Sequence, residues 1–247
     1  MFKRALTSVA AIAAMLLTTT VAKADFIIDT FTSPNPATSY TVGTSSGSTF
    51  SSGPSVINPG VTRNITVTQV GNVSSAAGGF FGLSSIDGAA FQLNTPNSIA
   101  SGSASFAKLA YTYSSAQNLN TGGPILRFSF DALGIATPFS VVLSDGTTSA
   151  TQTGLVLVTG SSSNFSIPLS SFIGTNLSTI TSIDLYVNRN VNTNTSAPDT
   201  DVTLRDLRVT QDVTPPPSVP APPAALLLLA AAPAFGLVRF GRRKLGA

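Results

Sequence analysis

Between residues 25 and 213 no window sustains an apolar pattern of 3.6-residue period. Short runs instead alternate apolar and polar residues between clusters of Gly, Asn, Ser and Pro. Period two is the mark of a half-buried strand, because successive side chains leave it on opposite faces. Ile65 and Val67 share one face of residues 61–70, and Asn64, Thr66 and Thr68 share the other. Ser105, Ala107, Leu109, Tyr111 and Tyr113 line a face of the next long run. Leu126, Phe128, Phe130 and Ala132 stand opposite Arg127, Ser129 and Asp131, and Phe139, Val141 and Leu143 lead into Asp145-Gly146, a hairpin signal. Ile183, Leu185 and Val187 follow, and Val202, Leu204, Leu207 and Val209 close the set. The slip in that last spacing predicts a bulge near Arg205-Asp206.

With shorter runs at 26–31, 89–93, 147–153, 155–158 and 165–169, about ten strands result. They predict an all-β fold, a two-sheet antiparallel β-sandwich of the jelly-roll kind. The 189 residues from 25 to 213 are enough for one sizeable core. Residues 34–60, rich in Ser, Thr, Gly and Pro, read as a long surface loop with a poor edge strand near Thr41. Residues 78–82 (Gly-Gly-Phe-Phe-Gly) read as a flexible turn displaying two aromatics.

Two apolar segments flank this body. Lys3 and Arg4 precede an apolar run over 5–17, and Ala22-Lys23-Ala24 then offers small residues where a signal peptidase cuts, leaving Asp25 first. Residues 1–24 are therefore expected to be a signal peptide, forming an N-terminal signal helix. Residues 214–218 form a Pro-rich linker of extended type. Residues 224–238 carry no charge and end in Arg239, with Arg242, Arg243 and Lys244 beyond. As a helix those 15 residues reach about 22 Å, or roughly 27 Å with Pro223 and a snorkelling Arg239, against a hydrocarbon core of about 30 Å. That predicts a barely sufficient transmembrane helix, with the basic cluster held inside.

Val219-Pro220-Ala221-Pro222, a short apolar helix and a terminal arginine cluster together resemble the PEP-CTERM sorting signal of Gram-negative bacteria, over residues 219–247. Ala221 stands where that motif has Glu. The resemblance implies recognition by an exosortase-like processing enzyme, after signal peptidase, and final placement at the cell surface or in an extracellular matrix. It also associates the chain with exopolysaccharide and biofilm. An ordinary C-terminal anchor is the alternative. Within the body, residues 180–185 and 201–209 resemble the last two strands of galactose-binding-like and lectin-like jelly rolls.

Composition excludes much chemistry. The chain has no Cys, His or Trp, and all ten acids are Asp. Ser-His-Asp and Cys-His catalysis, Cys/His zinc sites and disulfides are all ruled out. The net charge of +3 belongs to the two ends; residues 25–218 hold six cations against ten Asp, a net of −4. No nucleic-acid footprint follows. Glycosidases commonly use two facing carboxylates, but most of these Asp sit beside turn formers, so no catalytic residue and no enzyme is expected. Asp25 and Asp29 near the start, with Asp199, Asp201 and Asp206 near the end, are candidate ligands for a structural Ca²⁺. Tyr40, Tyr111, Tyr113 and Tyr186 are candidate sugar-stacking rings, though Tyr111 and Tyr113 share their face with core residues. The leading expectation is an exported surface protein with a structural or adhesive role. The alternative is a lectin-like module that binds exopolysaccharide.

Overall fold

The computed structural model describes residues 25–32, 38–73, 76–84, 88–95, 104–134, 136–157, 161–198 and 200–211. The signal segment with Ala22 and Ala24, the linker, the tail from Val219 to the basic cluster, and Asp199 lie outside the described residues. The compact unit that holds every described element ends at Gln211.

Fourteen strands follow in chain order. They are β1 (Phe26–Asp29), β2 (Thr38–Thr41), β3 (Thr49–Ser51), β4 (Ser55–Asn58), β5 (Val61–Val70), β6 (Gly78–Ser84) and β7 (Gly88–Asn94). Then come β8 (Ala104–Gln117), β9 (Ile125–Gly134), β10 (Thr137–Ser144), β11 (Ser149–Leu157), β12 (Ser161–Pro168), β13 (Ile180–Val187) and β14 (Thr200–Thr210). The helical elements described are two short 3₁₀ turns, at Leu119–Thr121 and Leu169–Ser171. Among the described residues no helix is long and apolar enough to cross a membrane.

The strands form two seven-stranded antiparallel sheets. The first runs β12-β9-β14-β7-β6-β2 with β1 also on β14; the second runs β11-β10-β13-β8-β5-β3 with β4 also on β5. Their inner faces make one core, with Phe128, Leu126, Leu204 and Phe91 from the first sheet and Leu109, Tyr111, Leu185 and Phe139 from the second. This is the expected sandwich, built from the period-two runs. The expected bulge is present too. Leu204 pairs with Phe130 while Asp206 pairs with Ser129, so Arg205 is the extra residue. The insertion lets Leu204 and Leu207, three apart, both turn inward.

Two expectations need correcting. Residues 34–60 hold more than a loop with one poor strand: β2, β3 and β4 all lie there, and they extend both sheets. Residues 78–82 are not a turn but the start of β6, with Phe81 at 2% exposure in the core. The glycines there serve close approach. A Cβ on Gly79 would run into the Gln92 carbonyl and the Tyr40 hydroxyl, which donates to that carbonyl at 2.5 Å.

A buried ionic knot joins the sheets. Arg63 Nη1 donates to Asp29 Oδ2 at 2.6 Å, and the Tyr111 hydroxyl donates to the same oxygen at 3.0 Å. Arg63 and Asp29 are 1% and 3% exposed, and the guanidinium lies 5.7 Å from the Phe31 ring and 5.6 Å from the Phe81 ring. Asp29 Oδ1 accepts the Phe31 amide at 2.7 Å, which holds Phe31 at a φ of 56°. Burial, with the Asp29 charge beside it, pushes the Tyr111 hydroxyl well above its ordinary pKa.

Candidate functional site

The sandwich leaves two outward faces, and their chemistry differs. On the second sheet the strand period that turns Ala107, Leu109 and Tyr111 inward sends Phe106, Lys108, Ala110, Thr112 and Ser114 of β8 outward. Register then sets their neighbours. Lys108 lies between Tyr186 of β13 and Thr66 of β5; Ala110 lies between Asp184 and Asn64; Thr112 lies between Ser182 and Thr62. Ala110 contributes only a methyl to the middle of this strip. Phe106 to Ser114 is nine residues, eight rises that reach about 26 Å along the strand.

Lys108 Nζ pairs with Asp184 Oδ2 at 2.8 Å and lies 5.4 Å from the Tyr186 ring centre. Burial of its stem disfavours the charge, but the bond to Asp184, that carboxylate's charge and Tyr186 outweigh it, so the ammonium pKa is raised. Beyond β13 the chain leaves the sheet at Asn188, whose φ of 61° suits Asn. Asn188 Nδ2 donates to the Ser105 and Ala197 carbonyls at 2.7 and 2.6 Å, and its Oδ1 accepts the Ala197 amide at 2.8 Å. These buried bonds close the 188–197 loop. They set Arg189 over Phe106, 4.6 Å from guanidinium carbon to ring centre. Asn194 fixes the guanidinium further, its carbonyl accepting from Nη1 at 2.9 Å and its Oδ1 from Nη2 at 3.0 Å.

The strip ends in a groove of about 390 Å³ lined by Val56, Gly60, Val61, Thr62, Thr112, Tyr113 and Ser114. Val56 is 68% exposed there. Gly60 sits at a φ of +82°, and a Cβ on it would lie 2.9 Å from Ser114 Oγ. Rings, an apolar notch, hydroxyls, an amide and one ion pair thus share a face carried on paired strands. Such a surface can stack against apolar ring faces and bond to hydroxyl groups.

On the outer face of the first sheet Arg205 and Arg208 pair with carboxylates, while Arg127 donates through Nε to Ser166. Arg205 Nη2 meets Asp131 Oδ2 at 2.8 Å, and Arg208 bridges Asp206 at 2.5 Å and Asp25 at 2.9 Å. A bond from the Thr210 hydroxyl, then Arg208, hold the Asp25 carboxyl below its ordinary pKa.

Four of the five candidate calcium ligands are among the described residues, and they are dispersed. Asp25 and Asp206 share Arg208 on an outer face, Asp29 lies in the core with Arg63, and Asp201 pairs with Asn94 and Leu133 along the first sheet. Among the described residues no three acidic side chains gather at a metal-sized site. Of the four tyrosines, Tyr40, Tyr111 and Tyr113 are core residues and Tyr186 stands outward. Sequence reasoning passed over Phe106, Lys108, Asp184 and Arg189. The available signal was the alternation itself, since an aromatic in phase opposite to Ala107 and Leu109 must face out.

No family model and no curated protein matches the chain. Among solved structures it is similar to a family 11 carbohydrate-binding module from Clostridium thermocellum, in complex with a β-1,3-1,4-mixed-linked tetrasaccharide. The identity is 12%, with 77% of this chain and 97% of the other covered and a TM-score of 0.38. A family 29 carbohydrate-binding module is similar at 8% identity, 71% and 93% coverage and a TM-score of 0.29. The CBM22-1–GH10 modules of an endo-1,4-β-D-xylanase from Clostridium thermocellum, complexed with xylohexaose, are similar at 11% identity, 78% and 29% coverage and a TM-score of 0.28.

Proposed function

We propose that the chain is an exported, non-catalytic polysaccharide-binding β-sandwich, with the outer face of the second sheet as its binding surface. One observation carries the reading: Tyr186, and the Arg189 guanidinium laid over Phe106, stand on the solvent side of the sheet beside the Lys108–Asp184 pair. Stacking rings beside hydrogen-bonding side chains is the pattern that a sugar, apolar on its ring faces and polar at its edge, calls for. The structural or adhesive role expected first gives way to this alternative.

The non-catalytic part rests on the carboxylates. Asp25, Asp29, Asp131, Asp184 and Asp206 each meet a cation, and Asp145 is filled by turn donors. A glycosidase needs a pair of carboxylates open to the substrate, whereas these are taken up by cations or turn donors. Affinity electrophoresis of the full-length protein through a panel of soluble polysaccharides tests the reading; absence of retardation on every one ends it.

Export and sorting belong to the same proposal and rest on the sequence of the two ends. The native chain then begins at Asp25 and ends near residues 220–222, without Arg242, Arg243 and Lys244. Intact-mass measurement decides between this and a plain anchor, which would retain Ala247.

A further inference from the structure

We infer that the ligand is an anionic polysaccharide, and that Arg189 reads the carboxylate of a uronic-acid unit; this rests on the binding face proposed above. Among the described cations, Arg63, Lys108, Arg205 and Arg208 each have a carboxylate within salt-bridge distance. Among the described residues Arg189 has Asn194 instead, which supplies only neutral acceptors. Arg127, on the opposite sheet, donates through Nε to Ser166 at 3.4 Å. What distinguishes Arg189 is its preparation. Phe106 backs the guanidinium plane, Asn194 accepts two of its N–H groups, and a loop closed by buried Asn188 fixes its base. A guanidinium has five N–H donors in a planar fork that suits a carboxylate held by two parallel bonds, and three donors remain here.

The rest of the face gives the ligand a direction. Lys108 already carries the Asp184 charge, so a second carboxylate there would meet repulsion, while sugar hydroxyls can bond to Asp184 and Asn64. The acid group therefore goes to the Arg189 end and the hydroxyl-rich chain runs along β8 toward the groove at Val56. The net charge of −4 over residues 25–218 repels polyanions at long range, so retention has to come from this local site.

The test is affinity electrophoresis of the full-length protein in mild detergent, through gels containing polygalacturonate, mixed-linkage β-glucan or dextran sulfate. We expect retardation by polygalacturonate that weakens about tenfold or more in Arg189→Gln, an intermediate loss in Arg189→Lys, which keeps the charge but not the fork, and no change in Arg127→Gln. Thermal melts of the variants matching the parent protein confirm that they are folded. Retardation by β-glucan alone, unaffected by Arg189→Gln, overturns the acidic-ligand inference and leaves the binding face standing. Equal retention on dextran sulfate, or an equal loss in Arg127→Gln, reduces the effect to general charge attraction and also overturns it. Retention on none of the three, extended to the wider panel, removes the binding face itself.

Discussion

The two outward faces of the sandwich are made by the same period-two rule yet carry opposite kinds of chemistry. On the first sheet Arg205 is matched to Asp131 and Arg208 to both Asp25 and Asp206, so most of the charge there is met within the face. On the second sheet rings stand outward at Tyr186 and Phe106, and among the described residues Arg189 is held by the neutral acceptors of Asn194 with no carboxylate beside it. Alternation decides which side chains face water; it does not decide what they do there. A face whose charges are mostly matched keeps little interaction energy for a partner, whereas one that orients a guanidinium over a ring on neutral acceptors leaves such energy free.

The strongest perturbation acts on what both faces share. Asp29→Ala leaves Arg63 buried without its carboxylate, a loss on the order of 3–5 kcal/mol. Because the pair joins the two sheets, melting should show one transition at much lower temperature, with binding and both faces lost together. A melt that lost only one sheet's signal would mean that the faces are independent units. Next in size is the double change Tyr186→Ala and Phe106→Ala. Truncation of central aromatic anchors costs about 2 kcal/mol or more, roughly thirtyfold in affinity, with little change in melting because both rings are outward. Arg205→Gln on the first sheet should leave retention untouched and cost about 0–1 kcal/mol of stability, since that pair is partly solvated. Reversal of these two outcomes would exchange the roles of the faces.

How far the sequence carried follows from the same contrast. The inner faces were legible because burial is a collective demand: Leu109, Leu185 and Leu204 must all turn inward, and the odd spacing at Leu207 could be met only by a bulge. Strand β2 is the edge strand expected near Thr41, but β3 and β4 were not legible, because Thr49–Ser51 and Ser55–Asn58 are short and mostly polar; they pair because β5 offers an edge. Phe81 reads as part of a turn because Gly79 and Gly82 stand close to it, whereas in the structure Gly78 and Gly79 make room for Tyr40. Of the face, Tyr186 was named, but Arg189 depends on a loop geometry set by Asn188 and Asn194 that no spacing encodes.

Acid sensitivity separates the sheets more finely. Asp145, in the β10–β11 turn, accepts from the Asn176 and Thr148 amides at 2.9 and 2.7 Å and from the Thr147 and Thr148 hydroxyls, each at 2.7 Å. Those bonds hold its carboxyl far below the ordinary range. Asp25 on the first sheet is also depressed, by Thr210 and then by the charge-assisted bond from Arg208. For both groups the folded state binds the proton less readily than the unfolded chain. Each therefore adds stability that is present above the unfolded pKa of about 4 and lost as pH falls toward its folded value. Asp145→Asn and Asp25→Asn should each flatten the fall in melting temperature below about pH 4 and lower stability at pH 7. Salt distinguishes them: the donors to Asp145 are neutral, so its contribution should persist at 1 M NaCl, while that of Asp25 should shrink as Arg208 is screened. Equal salt sensitivity would mean that Asp145 draws on charges beyond its turn.

The smallest expected effect lies in the wall between core and groove. Tyr113 is 5% exposed, and among the described residues its buried hydroxyl has no hydrogen-bond partner. Burial, with Asp29 nearby, pushes that hydroxyl well above its ordinary pKa, so it stays neutral throughout the working range. An unsatisfied buried hydroxyl is a net cost, and its removal keeps the ring's packing against Phe26, 6.5 Å between centres. Tyr113→Phe should therefore leave stability unchanged or raise it by up to about 1 kcal/mol, a change of a few degrees at most in melting temperature. Retention on polysaccharide should stay the same, because the groove would keep its shape and lose only an oxygen already turned away from solvent. A clear fall in affinity with unchanged melting would show that the ligand reaches this hydroxyl through the groove, which would extend the binding face past Val56 into the wall of the core.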